Sequence, residues 1–488
     1  MVQWNSIRFR FGVHAPRKHE RQAEKNMNTP SRSILDENNS PLSVILMLAW
    51  PIFVEQVLVA LVGAVDTAMV GSLGAAATAA VAINYSPNML ITSVFLALGV
   101  GFTSLIARSI GAGRLERARV LVRQSLLSVI AVGLPLSVLC YVFAREIPIW
   151  MGGEAEILND AEIYNRILAL SLLFRGLTMA LTAIYRGYGD SKTPMVINIL
   201  MNVLNFVGNY FLIYPTRTVH YFGLEFTMFG CGWGVAGAAI ASTLAGILGG
   251  LALAVLCFSK NSPMHISIHD DFRPNWPELS AVVRVSLPVM LERIAMSGAF
   301  IVVSHAVATL GTAAVAAQNL SGTAESISFM PGFAFGEAVT TLFGQSIGAK
   351  KPRLAHKYVV HTLRISSFIM FFMSLALYFG SASIISLFTP DAEVNAMGAD
   401  LLKILAVIQI PQVAAMVYSG ALKGAGDTKS CFLIALISMW GVRLLGTVIC
   451  VHGLGMGLNA TCVCMCLDNV VRWFLFRTQY RRKGWAAA

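Results

Sequence analysis

The strongest constraint on this chain is a series of apolar runs, each roughly twenty residues or longer, separated by short polar connections. About twenty apolar residues is the length a helix needs to cross a bilayer, where every backbone N–H and C=O must be satisfied internally. The runs lack the alternation over about ten residues that marks a barrel strand. The chain is therefore expected to be an all-α polytopic membrane protein. Composition agrees, since 56% of the 488 residues are hydrophobic and only 12% are charged, against about 25% charged in a soluble domain.

Hydropathy places twelve spans near residues 42–70, 77–107, 119–143, 161–184, 194–214, 234–258, 280–308, 314–345, 357–380, 398–420, 429–451 and 454–477. These predict a basic, disordered cytoplasmic tail (1–41), a first lobe (42–258), a cytoplasmic linker (259–278), a second lobe (279–477) and a short cytoplasmic tail (478–488). The basic N-terminal stretch is followed by no apolar h-region, so a secretory signal is not expected; Met1 or Met27 could be the start.

The net charge of +11 is placed by topology and not by nucleic acid. Arg108, Arg114, Arg117, Arg119 and Arg123 follow the second span, and Lys350, Lys351, Arg353 and Lys357 follow the eighth. The alternate connections, such as Gly71-Ser-Leu-Gly74 and Thr389-Pro-Asp-Ala-Glu393, are nearly free of Lys and Arg. The positive-inside rule then puts both termini in the cytoplasm. The eight cysteines follow no metal spacing, no nucleophile–base set appears, and neither a cofactor nor enzymatic activity is expected.

The chain also repeats itself at a shift of 237 residues. Pro51 and Glu55 recur as Pro288 and Glu292, and Leu73-Gly-Ala as Leu310-Gly-Thr. Ser109-Ile-Gly-Ala112 recurs as Ser346-Ile-Gly-Ala349, and Arg186-Gly-Tyr-Gly-Asp-Ser-Lys192 as Lys423-Gly-Ala-Gly-Asp-Thr-Lys429. Two halves with an even number of crossings lie in the same orientation, related by an axis along the membrane normal, with a binding cavity between them. The Gly-x-Gly-Asp loops lack a preceding strand and the phosphate-cradle spacing, and read as helix stops with turns.

The repeat fails at Asp66, whose counterpart is Val303. An acid at membrane depth is costly, and is kept where it faces a cavity or a partner. Such a carboxyl could load a proton or hold Na⁺; the bland alternative is an Asp that fastens neighbouring helices. Asn198, Asn202, Asn205 and Asn209 draw one polar stripe on the fifth span, suited to cation coordination or merely to helix–helix hydrogen bonding. Glu55 and Glu292 each follow a proline by four residues and could bond amides freed by a bend at Pro51 or Pro288, or serve as second coupling acids. Glu292 could also pair with Arg293. Asp468 and Arg472, four apart, are expected to pair on one helix.

Taken in order, several motifs are similar to those of the multidrug and toxic compound extrusion (MATE) transporters. They are Pro51 with Val65-Asp-Thr-Ala-Met-Val-Gly71, Gly111-Ala-Gly113, Arg186-Gly-Tyr-Gly-Asp190, Asn202-Val-Leu-Asn205, Gly232-Trp-Gly-Val-Ala-Gly-Ala-Ala239 and Leu422-Lys-Gly-Ala-Gly-Asp427. The chain resembles that family, and its NorM-like members, from about residue 42 to 483. The resemblance implies two six-helix lobes and export of cationic or amphipathic drug-like compounds in exchange for H⁺ or Na⁺. The family's helix 1 aspartate matches Asp66 and its helix 5 asparagine Asn205, with Asn209 where some branches carry an acid. The ion would sit among Asp66, Asn205 and Asn209, with Asn202 nearby. NorM-type acids on helices 7 and 10 have Glu292, one turn early, and Gln412 as their nearest equivalents. A monomer in the cytoplasmic membrane is expected. A flippase of lipid-linked precursors or a metabolite exporter, for example of flavin, in the same superfamily is the alternative.

Overall fold

A computed structural model describes residues 34–221, 224–259, 262 and 264–485. The expected tail over residues 1–41 lies mostly outside them, and both candidate start positions do. Twelve long helices make two lobes of six. The first lobe holds α1 (Pro41–Gly71), α2 (Tyr85–Gly111), α3 (Leu115–Val142), α4 (Ala155–Tyr188), α5 (Lys192–Leu212) and α6 (Gly234–Phe258). The second holds α7 (Trp276–Ala308), α8 (Thr312–Gly348), α9 (Pro352–Ser386), α10 (Ala392–Ala425), α11 (Thr428–Leu436, continued in wider turns to Gly453) and α12 (Leu458–Arg482).

Among the described residues, ten helices are long and apolar enough to cross a membrane on their own. The two of the twelve outside that set are α8 and α12, which carry Glu325 and Glu337, and Asp468 and Arg472, respectively. They are made spans by their neighbours, which cover their polar residues. Glu325, Asp468 and Asn469 are all buried.

One element is absent from the sequence reading. Between α5 and α6 the chain forms an antiparallel hairpin, β1 (Pro215–Tyr221) and β2 (Leu224–Cys231). Arg217 of β1 lies over the rings of Tyr210 and Tyr214, 4.5 and 3.9 Å from their centroids, so the hairpin is anchored on the end of α5.

The expected linker is fastened to α3. Arg117 binds Glu278 through two hydrogen bonds of 2.8 and 3.0 Å. Gln124 donates to the Arg273 carbonyl and accepts from the Asn275 amide. Met264 and Ile266 join the core formed by α2, α3 and α4.

The lobes meet through an interface that is itself a repeat. Ser104 and Arg108 of α2 donate to the carbonyls of Gly424 and Ala425, at the end of α10. Their counterparts at the 237 shift, Thr341 and Gln345 of α8, donate to Arg186, Gly187 and Tyr188, at the end of α4. Glycine makes this approach feasible. A Cβ on Gly111 would stand 1.9 Å from the Gln345 carbonyl oxygen, and one on Gly348, its twin, 2.2 Å from that of Arg108. All of these contacts lie at the end of the molecule that bears the arginine-rich connections.

The Gly-x-Gly-Asp loops are turns, as read. Gly189 and Gly426 end α4 and α10 at φ values of 104° and 84°, a conformation glycine adopts without strain. Asp190 and Asp427 then accept from backbone amides that open the next helix. Burial alone would raise the Asp427 carboxyl. Its contacts with Lys483, Ser430 and Gln479 outweigh that effect and hold it below its ordinary value.

Candidate functional site

Asp66 lies five residues before the end of α1, half-buried, at the opposite end of the lobes from their shared interface. The α5 stripe reaches it because α1 and α5 run in the same direction. One constant offset of 143 residues brings Asn198 to Glu55 and Asn209 to Asp66. Asn209 is buried and donates to Asp66 Oδ1. Asn205, one turn earlier, is also buried. With its amide nitrogen toward the carboxylate, it donates to Oδ1 at 2.9 Å and Oδ2 at 3.3 Å, while its oxygen accepts from Ser242 Oγ of α6 at 2.9 Å. The opposite orientation would set an amide oxygen against an acid oxygen, which is repulsive when the acid is ionised.

The arrangement is a carboxylate held by two neutral amides, with no Lys or Arg paired to it among the described residues. Such a group can gain or lose a proton, or share a cation with amide oxygens, without first breaking a salt bridge. Asn209 Oδ1 is buried without a partner, an open acceptor beside the acid. Asn202 is on the same face but bonds neither acid, and its Nδ2 has no partner. The four asparagines thus divide: Asn205 and Asn209 join Asp66, Asn198 joins Glu55, and Asn202 stands between.

Glu55 does not turn back to the helix amides near Pro51. It accepts from Arg186 of α4 at 2.6 Å and from Asn198 at 2.9 Å. Glu292 pairs with Lys423 of α10 at 3.3 Å, and not with Arg293. Glu55 with Arg186 and Glu292 with Lys423 are twins at the 237 shift, buried beside the interlobe contact. The reason is reach: a carboxylate one turn after the proline meets a cation across the helix–helix groove, which satisfies it better than an amide of its own bend. Pro51 and Pro288 lie inside uninterrupted helices.

The second lobe contains a charged site that the sequence reading missed. Val303, the twin of Asp66, lines a cavity of about 440 Å³ together with Glu325 of α8 and Arg443 of α11. Glu325 accepts from Gln412 of α10 at 3.2 Å. Arg443 and Arg472 converge on Asp468, which is 0% exposed, at 2.9 and 3.1 Å. The Asp468–Arg472 pair expected from sequence is therefore present, enlarged by Arg443. The cluster thus mixes two acids with two arginines. The findable signal was Glu325 itself, an acid within an apolar span, which the depth rule applied to Asp66 equally covers.

The MatE family model matches residues 51–211 and 288–449, one copy in each lobe. A curated relative, described as an uncharacterized transporter, YisQ of Bacillus subtilis, is 25% identical over 90% of this chain and 94% of its own length. A probable multidrug resistance protein, NorM of Thermotoga maritima, is 26% identical over 88% of this chain and 89% of its own. Among solved structures, a MOP-superfamily transporter from Pyrococcus furiosus superposes with a TM-score of 0.85 at 22% identity. The match covers 94% of this chain and 98% of that one.

Proposed function

The chain belongs to the MatE family of multi-pass membrane transporters, and from that premise we propose that it exports cationic or amphipathic small molecules in exchange for H⁺ or Na⁺. The observation that carries this reading is the Asp66 site, an acid with two amide donors and no cation paired to it among the described residues, where the second lobe has Val303.

The lobes alternate between two tilts. In the state described, they are joined at the basic end, taken as cytoplasmic with both termini, so the cleft and Asp66 face outward. Asp66 then takes up H⁺, or Na⁺ shared with Asn205 and Asn209. Neutralising the carboxylate weakens the amide donors' hold on it, and α1 is free to move about the Pro51 region. That movement reshapes the cleft and lowers drug affinity. Return to the inward state releases the ion. One charge moving inward across about 100 mV supplies about 2.3 kcal/mol, enough for close to a fiftyfold gradient of a neutral solute.

The second-lobe cluster mixes acids with arginines and is not the uniformly basic cavity that a polyanionic lipid-linked precursor would need, which favours drug export over the flippase reading. The reading is tested in proteoliposomes under separately imposed proton and sodium gradients. Asp66→Asn should abolish gradient-driven efflux while leaving the melting temperature within a few degrees. Efflux that survives the substitution unchanged would rule the mechanism out, and the gradient that drives the wild type identifies the ion.

A further inference from the structure

A cavity of about 600 Å³ lies between α9, α10 and α12, at the basic end of the second lobe. None of its lining residues is on α7 or α8, the helices that carry the main contact with the first lobe. It therefore lies away from the main contact between the lobes. Its walls divide by chemistry. Away from the basic end they are mainly Val360, Leu363, Ile410, Pro411 and Ala414, with one hydroxyl at Ser367. Toward the basic end they are Arg477, Arg481, His356 and Tyr480.

Arg477 and Arg481 are one helical turn apart on α12, where like charges repel by a few tenths of a kcal/mol. Among the described residues, neither has a carboxylate within ion-pair distance, although Arg443, Arg472 and Lys483 nearby all have one. Arg477 lies over the Trp473 ring at 5.6 Å, and His356 shares a hydrogen bond with the Tyr480 hydroxyl at 3.1 Å. The polar end is thus ordered but not neutralised. The fold leaves two guanidinium groups lining the basic end of a largely apolar trough.

We propose that this groove binds an anionic phospholipid, its phosphate on Arg477 and Arg481 and an acyl chain along Val360, Leu363 and Ile410. Guanidinium groups match phosphate oxygens with paired, charge-assisted hydrogen bonds. Basic pockets between helices at the cytoplasmic face are where such headgroups are held. A soluble phosphate would use the arginines and leave the apolar trough empty, so the trough selects the lipid.

The test is native mass spectrometry of the full chain released from nanodiscs of phosphatidylcholine alone, or mixed with phosphatidylglycerol. Wild type should retain phosphatidylglycerol preferentially over phosphatidylcholine, by about tenfold for the roughly 1.4 kcal/mol expected of such a contact. Arg477→Gln/Arg481→Gln should lose that preference. Arg477→Lys/Arg481→Lys should keep part of it, and Arg482→Gln, which lies outside the groove, should keep all of it. Equal retention of both lipids by wild type, or an undiminished preference in the double glutamine variant, overturns the proposal. So does competition by inorganic phosphate that removes the preference completely, since that marks a soluble-anion site. Retention is read without transport, so it stands or falls independently of the proposed export.

Discussion

The two ends of the molecule treat the internal repeat in opposite ways. At the basic end, the contact between the lobes is built from twins. Ser104 and Arg108 match Thr341 and Gln345, Gly111 matches Gly348, and Glu55 with Arg186 matches Glu292 with Lys423. Toward the other end the halves part company. The first lobe holds a lone acid between amides, and the second a four-membered charged cluster beside Val303. Symmetry is kept where the lobes touch, and abandoned at the proposed ion site. A contact surface gains from being its own complement, whereas the proposed mechanism needs its ion site once.

The sharpest way to break that contrast is in the second lobe. Asp468→Asn leaves two buried arginines without their shared acid, a loss of about 3–5 kcal/mol. The melting temperature should fall well below that of Asp66→Asn, which on the proposed mechanism removes coupling and little stability. If the two variants melt alike, the division into a structural cluster and a working acid fails.

The twin ion pairs come next. Glu55→Gln and Glu292→Gln each remove the paired carboxylate of a buried cation, with side chains of Arg186 and Lys423 only 13% and 17% exposed. Each cation has a partial relief: Arg186 keeps the electrostatic interaction with Glu337 of α8, and a stranded lysine can lose its proton. Both variants should therefore lower the melting temperature, by less than the roughly 3–5 kcal/mol of an unrelieved buried charge. A loss in one variant and none in the other would show that the twins do not share a role.

Gly111→Ala and Gly348→Ala should each cost about 1–3 kcal/mol, as overpacking does, but only in the closed state. Accessibility of a single cysteine near Gly424 to a membrane-impermeant maleimide should rise by about tenfold or more in either variant, 1.4 kcal/mol being a factor of ten. Unequal responses would show that one half of the interface dominates.

The smallest effect concerns Asp427. Its carboxyl is held low in the folded state, so its contribution is present above its ordinary value of 3.8 and is lost as pH falls through the lower folded value. The difference in melting temperature between wild type and Asp427→Asn should be constant near neutral pH and shrink in acid. A difference that grows in acid would reverse the assignment.

Much of this was legible in the sequence because it is periodic. Span lengths, the 237 shift and the asparagine stripe are all one-dimensional patterns, and together they lead to Asp66, Asn205 and Asn209. The partners of Glu55 and Glu292 were within reach, since Arg186 and Lys423 recur at the same shift, but the nearer helix amides and Arg293 were easier to invoke. The Glu325, Arg443, Asp468 and Arg472 cluster draws on three helices with no common spacing, so only tertiary packing assembles it. The hairpin at Pro215–Cys231 had a signal in its β-branched and aromatic residues, masked by the expectation that a membrane chain turns directly from helix to helix.

The wider turns of α11 carry a consequence of their own. Over Ile437–Leu444 and Ile449–Gly453 the backbone bonds reach five residues instead of four, so each such turn takes in about one residue more than an α-turn. Its counterpart α5 is α-helical throughout. The two helices therefore run out of phase, and residues with matching numbers point in different directions. Val442 and Gly446 are the numerical twins of Asn205 and Asn209, yet a side chain at 446 would begin 3.0 Å from the Cys464 sulfur. Copying Asp66 and its asparagines into the second half would reproduce the letters of the proposed ion site without its angles. The duplicated halves have diverged in winding as well as in composition, and that change of phase is harder for point substitution to reverse than any single residue.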